Sequence, residues 1–297
     1  MAGIYQDMIH TDSAYADSLS RAGLDTVQGV LDCVGDRLTA WSRTTDTVQV
    51  YLEGDASVFV KRYHYPRWKS RLKGMFRGTF FGLSRVRAEF RALQSMRRLG
   101  IQAVRPVAYG ERRSLHFLHS CFLITEAVPG SASLATYAQQ HSGENHSPAS
   151  FRLRRNIVTE LARQVRHMHE QRFVHGDLFW RNVLIRVLGA ESCEFYFLDA
   201  SLGRRVWRKG RERGPVVNDV AELTAIAPVF CSRTDMARFV KTYLDQGRLD
   251  ADAEAWMARV AERSMAYRKH EAQRLRYNEV FTLYVRELER LAQTNGR

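Results

Sequence analysis

Along this chain apolar residues repeat mainly at strand spacing before Pro129-Gly130 and at helical spacing after it, and that change of period restricts the fold more than any other feature. In the first part, DRLTAW (36–41), VQVYLE (48–53) and SVFVKRY (57–63) read as strands, with a turn at Glu53-Gly54-Asp55. Between strands, SRVRAEFRALQSMRRL (84–99) places Val86, Phe90, Leu93 and Met96 at helical intervals and stops at Gly100. Two further strands are predicted near Val104–Tyr109 and Cys121–Glu126. In the second part, a helix over 151–171 carries Ile157, Leu161, Val165 and Met168 on one face, followed by a hairpin around Gly189. Helices then cover 216–226, 233–246 and 252–292, the second opened by a Ser232-x-x-Asp235 cap with Gly247 behind it. Strands first and helices second predict an α+β protein with a cleft at the junction: an antiparallel N-terminal sheet with one main helix (1–127) and a mainly helical C-terminal lobe (128–297). A chain of 297 residues is long enough to bury the core such a two-lobed domain needs.

Charge narrows the partners. Forty-five Lys and Arg against 32 Asp and Glu leave a formal net charge of +13, which favours an anionic partner without choosing among phosphorylated substrate, membrane surface, acidic protein and nucleic acid. The opening MAGIYQDMIHTDSAY has neither a cationic n-region nor an apolar h-region, and no run of about 18 apolar residues occurs, so neither export nor membrane spanning is expected. Cys33, Cys121, Cys193 and Cys231 are too scattered for a zinc ribbon or redox pair and read as reduced structural residues, in the cytoplasm.

The chemistry concentrates in VHGDLFWRNVLI (174–185) and FYFLDAS (195–201). A carboxylate, Asp177, is followed five residues later by an amide, Asn182, and then by Asp199 at the end of an apolar strand, a set that suits magnesium-dependent phosphoryl transfer. Asp177 can accept the proton of an attacking hydroxyl, and Asn182 offers a neutral oxygen to a metal. An ionised Asp199 behind FYFL needs a partner, and a metal is the natural one; capping of the next turn is the alternative. His175 reads as a structural hydrogen-bonding residue rather than a base. Asp219, in VVNDVAEL, is either a buried anchor for the loop backbone or a helix N-terminal charge.

Lys61 closes a β-branched strand, from which an ammonium can reach α and β phosphates. From Ala56 to Gly110 thirteen Lys or Arg accompany a single acid, Glu89, so Glu89 is placed to pair with Lys61 and fix it; a surface helix charge is the bland alternative. The hairpin expected to cover the phosphates is SRTTDT (42–47), which lacks glycine, so Ser42, Thr44 and Thr45 would contribute hydroxyls or keep the loop farther off. Two cationic units flank this set. HYPRWKSRLKGMFRGTFFGLSR (64–85) reads as a basic amphipathic helix for an anionic membrane surface or an acidic protein, or as an insertion packed on the sheet. Arg204, Arg205, Arg208, Lys209, Arg211 and Arg213 follow Asp199 and imply an acceptor carrying phosphates or carboxylates, or else a solvated loop. Nucleic acid is not expected, because aromatic residues are not interleaved with this run beyond Trp207.

Taken in order, VFVKRY with Lys61, AEFRAL with Glu89, VRPVAYGER, FLITEAVPG, VHGDLFWRNVLI and FLDAS resemble the Kdo/WaaP lipopolysaccharide kinase family of the protein-kinase-like superfamily, over residues 35 to 225. The resemblance implies a bilobal protein-kinase-like fold. It also implies ATP-dependent phosphorylation of an inner-core sugar, heptose or Kdo, of lipopolysaccharide, by a peripheral enzyme on the cytoplasmic face of a Gram-negative inner membrane. By motif position, Lys61 binds ATP phosphates, Glu89 orients it, Asp177 is the catalytic base, and Asn182 and Asp199 hold Mg2+. Thr125-Glu126-Ala127-Val128 match the hinge that meets adenine, which makes Glu126 and Val128 nucleotide-binding candidates. DAS replaces the DFG triplet of protein kinases, and no lysine stands two residues after Asp177, where Arg181 is the available substitute. An anionic glycolipid, lipid A-core, is the implied acceptor. Two rivals stay open: a phosphotransferase on a soluble small molecule or protein, and a catalytically silent kinase-like binding protein, the latter supported by the glycine-free hairpin.

Overall fold

The computed structural model describes residues 5–35, 37–41, 45–54, 56–65, 84–114, 117–141, 148–207, 210 and 214–269. Six strands form an antiparallel sheet: β1 (Gln6–Thr11), β2 (Arg37–Trp41), β3 (Thr45–Tyr51), β4 (Ser57–His64), β5 (Pro106–Ser114) and β6 (Phe117–Glu126), in the order β1-β5-β6-β4-β3-β2. Alternation in β4 sorts its side chains. Val58 and Val60 join the core on one face, whereas Tyr63 joins the core on the other, where Lys61 meets the Arg85–Arg98 helix. A one-residue slip of β4 would send Lys61 under the wrong face, so burial fixes the register that the site requires. The predicted strands at 104–109 and 121–126 run longer than expected, because β5 and β6 continue through a hairpin whose tip lies outside the described residues.

The Arg85–Arg98 helix begins at Ser84, whose hydroxyl accepts from Arg87 N at 3.2 Å, and ends ahead of Gly100, which takes φ +72°. Phe90, Leu93 and Met96 bury its inner stripe. Residues before 36 carried no predicted element, yet β1 pairs with β5 at the sheet edge, and the helices Ala16–Arg21 and Val27–Asp32 cover the outer face of the sheet. Six-residue helices have too little intrinsic stability to announce themselves in a sequence. Here Leu19, Leu24, Val27 and Val30 are buried against Val58, Val60, Phe122 and Ile124, and Arg62 reaches across to donate to Leu31 O at 2.9 Å and Cys33 O at 2.7 Å.

Beyond Pro129-Gly130 the chain makes β7 (Ser131–Ser133), a helix over Leu134–Gln140, the long helix Pro148–Glu170, β8 (Phe173–Val174), β9 (Val183–Val187), β10 (Cys193–Phe197) and β11 (Arg204–Arg205). Strands β10-β9-β7 form one small sheet and β11-β8 a second. Helices Gly214–Thr224, Ala227–Phe230, Arg233–Leu244 and 251–269 complete the description. The Ser232/Asp235 capping box is present. The helix it opens stops at Leu244, because Asp245 takes the left-handed conformation (φ 56°) that Gly247 was expected to serve. Of the helix predicted over 252–292, residues 270–292 lie outside the described residues, as do residues 66–83 of the 64–85 unit. One core joins the two halves: Phe90, Leu93 and Tyr63 cluster with Val165, Phe197 and Val217, and Ala103 bridges Phe197. No described helix is long and apolar enough to cross a membrane.

Candidate active site

The loop after β8 is held by backbone bonds to acids on the Gly214–Thr224 helix. Asp219, fully buried, accepts from His175 N at 2.6 Å and Gly176 N at 2.8 Å, and stands 3.2 Å from His169 Nε2. Asp219 therefore anchors the loop rather than serving only the helix terminus. Glu222 accepts from Leu178 N at 2.7 Å, and Trp180 Nε1 donates to Leu223 O at 2.7 Å. Burial pushes the Glu222 pKa up to about 7, against the pull of the Leu178 amide. Gly176 has φ +77°, and a Cβ there would lie 2.9 Å from Leu202 Cβ, so both conformation and space call for glycine.

His175 is fully buried, its Nε2 lies 3.0 Å from Leu198 O, and burial lowers its pKa. The imidazole thus ties the loop to the segment ahead of Asp199. Asp177, by contrast, keeps about a quarter of its side chain exposed, 26%. Arg181 Nη2 donates to its Oδ1 at 2.9 Å, Asn182 Nδ2 to its Oδ2 at 2.9 Å and to its carbonyl at 2.8 Å. The Arg181 guanidinium in turn packs 4.2 Å from the Phe179 ring centroid. With the Asn182 amide nitrogen committed, its side-chain oxygen accepts no hydrogen bond among the described residues.

Leu198 N donates to Asn182 O at 3.1 Å, which sets Asp199 beside the loop. Asp199 itself has φ 57°, a left-handed conformation uncommon outside glycine. Its Oδ1 lies 3.1 Å from Lys61 Nζ and 3.4 Å from Arg85 Nη2. Burial alone would raise the Asp199 pKa, but Lys61 and Arg85 outweigh it and bring the carboxyl down to about 2. Lys61 also lies 3.9 Å from Glu89 Oε1, whose own pKa burial pushes up to about 7 against the opposing charge of Lys61. Burial would lower the Lys61 pKa; Glu89 and Asp199 raise it instead. Lys61, Glu89 and Asp199, distant in sequence, therefore meet in one cluster.

The remaining candidates are placed less closely. Glu126 and Val128 follow from the end of β6: Glu126 N donates to Arg105 O at 2.9 Å, and Val128 O accepts from Ser131 Oγ at 2.7 Å. Thr45 belongs to β3, paired with Tyr63, so it is a strand residue rather than part of the loop read from SRTTDT; Ser42 and Thr44 lie outside the described residues. Two contributors escaped the sequence reading. Glu222 sits three residues after Asp219 on one helix, a spacing that signals a shared face. Arg85 sits four residues before Glu89 at the helix start, and its Cζ lies 5.5 Å from the Tyr63 ring. Among the described residues no group of three or more His, Cys, Asp or Glu side chains is arranged to hold a metal. An ionised Asp199 and the Asn182 oxygen nevertheless make a hard-oxygen pair of the kind Mg2+ takes when phosphates and water complete its shell.

Comparison with known proteins agrees with this architecture. The lipopolysaccharide core heptose(I) kinase WaaP of Pseudomonas aeruginosa is 28% identical over 185 residues, covering 60% of this chain and 68% of that protein. The protein of the same name from Escherichia coli is 24% identical over 193 residues, covering 60% and 70%. A solved structure of WaaP in complex with acyl carrier protein superposes with a TM-score of 0.60 at 22% identity, over 87% of this chain and 99% of that one, which establishes the bilobal kinase-like fold. The family model for lipopolysaccharide kinases (Kdo/WaaP) matches residues 23–243, and the chain belongs to that family.

Proposed function

We infer that the protein is an ATP-dependent kinase that phosphorylates a heptose or Kdo hydroxyl of the lipopolysaccharide inner core. The observation that carries this reading is the meeting of Lys61, Glu89 and Asp199 beside a loop in which Asp177 is the partly exposed carboxylate. Asp177 accepts the proton of the sugar hydroxyl as its oxygen bonds to the γ-phosphorus and the bond to the ADP oxygen breaks. Arg181 and Asn182 keep that carboxylate aimed, and Arg181 stands in for the cation that protein kinases place two residues after the base. Lys61, held by Glu89, binds the phosphates, with Ser42 and Thr44 on the covering loop, Thr45 at the start of β3 behind it, and Glu126 and Val128 at the adenine. The donor would lie between lobes divided near residue 127. Asn182 and Asp199 would hold Mg2+, which neutralises phosphate charge when bound. The names of both WaaP relatives support a core sugar as acceptor.

Deleting the gene in the source organism and analysing the phosphate content of its core oligosaccharide tests the assignment. One core phosphate should disappear, return with the wild-type gene, and fail to return with Asp177→Asn. An unchanged core phosphate pattern in the deletion strain would overturn it.

A further inference from the structure

The segment after Asp199 is fixed against the Asp177 loop by backbone contacts and turns a mixed apolar and cationic surface outward. Arg204 and Arg205 pair with Val174 and Phe173, the two residues ahead of His175, and Leu202 lies in contact with Gly176. Val206 N donates to Arg172 O at 2.7 Å, which ties the far end of the segment to the turn before β8. The surface is therefore rigidly placed relative to the loop. Leu202 is 60% exposed and Trp207 91% exposed. Trp207 is the most exposed aromatic side chain of the described residues, and an indole has a large apolar area to leave in water.

Cations surround these two side chains. Arg172 and Arg205 line an open recess of about 390 Å3 together with Glu170 and Gln171, and Arg204 is exposed next to it. The Glu170 carboxylate is already engaged by Arg166 at 2.6 Å. Arg172, Arg204 and Arg205 have no acidic partner among the described residues. An exposed tryptophan beside arginines that no described acid balances matches the interfacial belt of proteins that sit on anionic lipid. A small soluble anion would satisfy the arginines but leave Trp207 and Leu202 in water.

We propose that Leu202, Trp207 and Arg172, Arg204 and Arg205 dock the protein on the anionic surface of a lipid bilayer. Trp207 and Leu202 enter the headgroup layer and the guanidinium groups meet lipid phosphates. The loop carrying Asp177 is thereby held at the depth where a membrane-anchored sugar presents its hydroxyl, a consequence that rests on the acceptor reading above. Docking itself does not depend on that reading.

Flotation of the full chain with phosphatidylcholine vesicles, with and without phosphatidylglycerol, tests the proposal. Wild type should float only with the anionic vesicles, and less as salt rises. Arg204→Ala with Arg205→Ala should weaken partitioning by roughly fivefold per arginine, and Leu202→Ala with Trp207→Ala by roughly tenfold or more. A brominated lipid should quench wild-type tryptophan emission, and Trp207→Phe, a mild change at an exposed position, should remove most of that quenching. Equal flotation by the variants, no flotation of wild type, or quenching unchanged by Trp207→Phe would overturn the proposal, as would binding to heparin without binding to vesicles. Phosphoryl transfer to deacylated core oligosaccharide, followed in parallel, separates the two readings. Transfer retained without vesicle binding overturns docking alone, and vesicle binding without transfer overturns the acceptor reading alone.

Discussion

Around Asp177 the chain is held by acids bonded to backbone amides: Asp219 takes the N–H groups of His175 and Gly176, and Glu222 that of Leu178. Around Lys61 the contacts run from side chain to side chain, 3.1 Å to Asp199, 3.9 Å to Glu89, with Arg85 3.4 Å from Asp199. The first arrangement fixes where the backbone goes and leaves Asp177 free to act. The second balances two cations against two acids, and phosphate would change that balance on arrival. Substitutions should accordingly separate the two regions, with loop anchors costing stability and members of the charge cluster costing ligand binding and turnover.

The largest effects belong to the cluster and the base. Lys61→Met should lower turnover by about a hundredfold or more, since a charge aimed at the phosphates is lost, while thermal unfolding changes little; a steady-state assay beside a melting curve checks both. Asp219→Ala should show the converse signature. One buried and one part-buried amide lose their acceptor at about 1–3 kcal/mol each, so denaturant unfolding should report a loss of roughly 3 kcal/mol. A loss below about 1 kcal/mol would break the contrast.

Glu222 gives the comparison a pH axis. Its folded pKa of about 7 exceeds the ordinary 4.5, so the folded protein holds a proton that the unfolded chain releases in that window. Unfolding there liberates protons, and stability should fall as pH rises from about 4.5 to about 7, by about 3 kcal/mol at most. Glu222→Gln should flatten that slope in melting curves taken across the range. The smallest effect is expected at Arg85→Ala: a half-exposed arginine 3.4 Å from its partner contributes within about 0.5 kcal/mol to stability. Denaturant midpoints of wild type and variant should nearly coincide.

Sequence periodicity exposed the strands and helices that bury one clean face, such as β4 and the Arg85–Arg98 helix, because a repeated apolar stripe survives without tertiary information. It missed the first 35 residues, whose short elements are stable only on the sheet they join or cover. The pairing of Lys61 with Glu89 was legible from motif order, whereas Asp199, for which a metal is the partner its sequence suggests, also meets Lys61 and Arg85; the anchor role of Asp219 is one of the two readings its sequence offers. Arg85 and Glu222 were not singled out, since an arginine among many arginines and an acid inside a helix carry no local mark of the carboxylate or amide they will meet. Thr45 shows the same limit from the other side. Its hydroxyl suggested a loop, while cross-strand pairing with Tyr63 made it part of β3.

The role of Asp177 decides between an enzyme and a kinase-shaped binding protein. Transfer of labelled phosphate from ATP to purified lipid A-core, with Mg2+, should be robust for wild type and reduced by about a hundredfold to ten-thousandfold for Asp177→Asn, with nucleotide affinity nearly unchanged. Full turnover by Asp177→Asn, or a wild-type protein that binds nucleotide and transfers nothing to lipid A-core, would contradict the account.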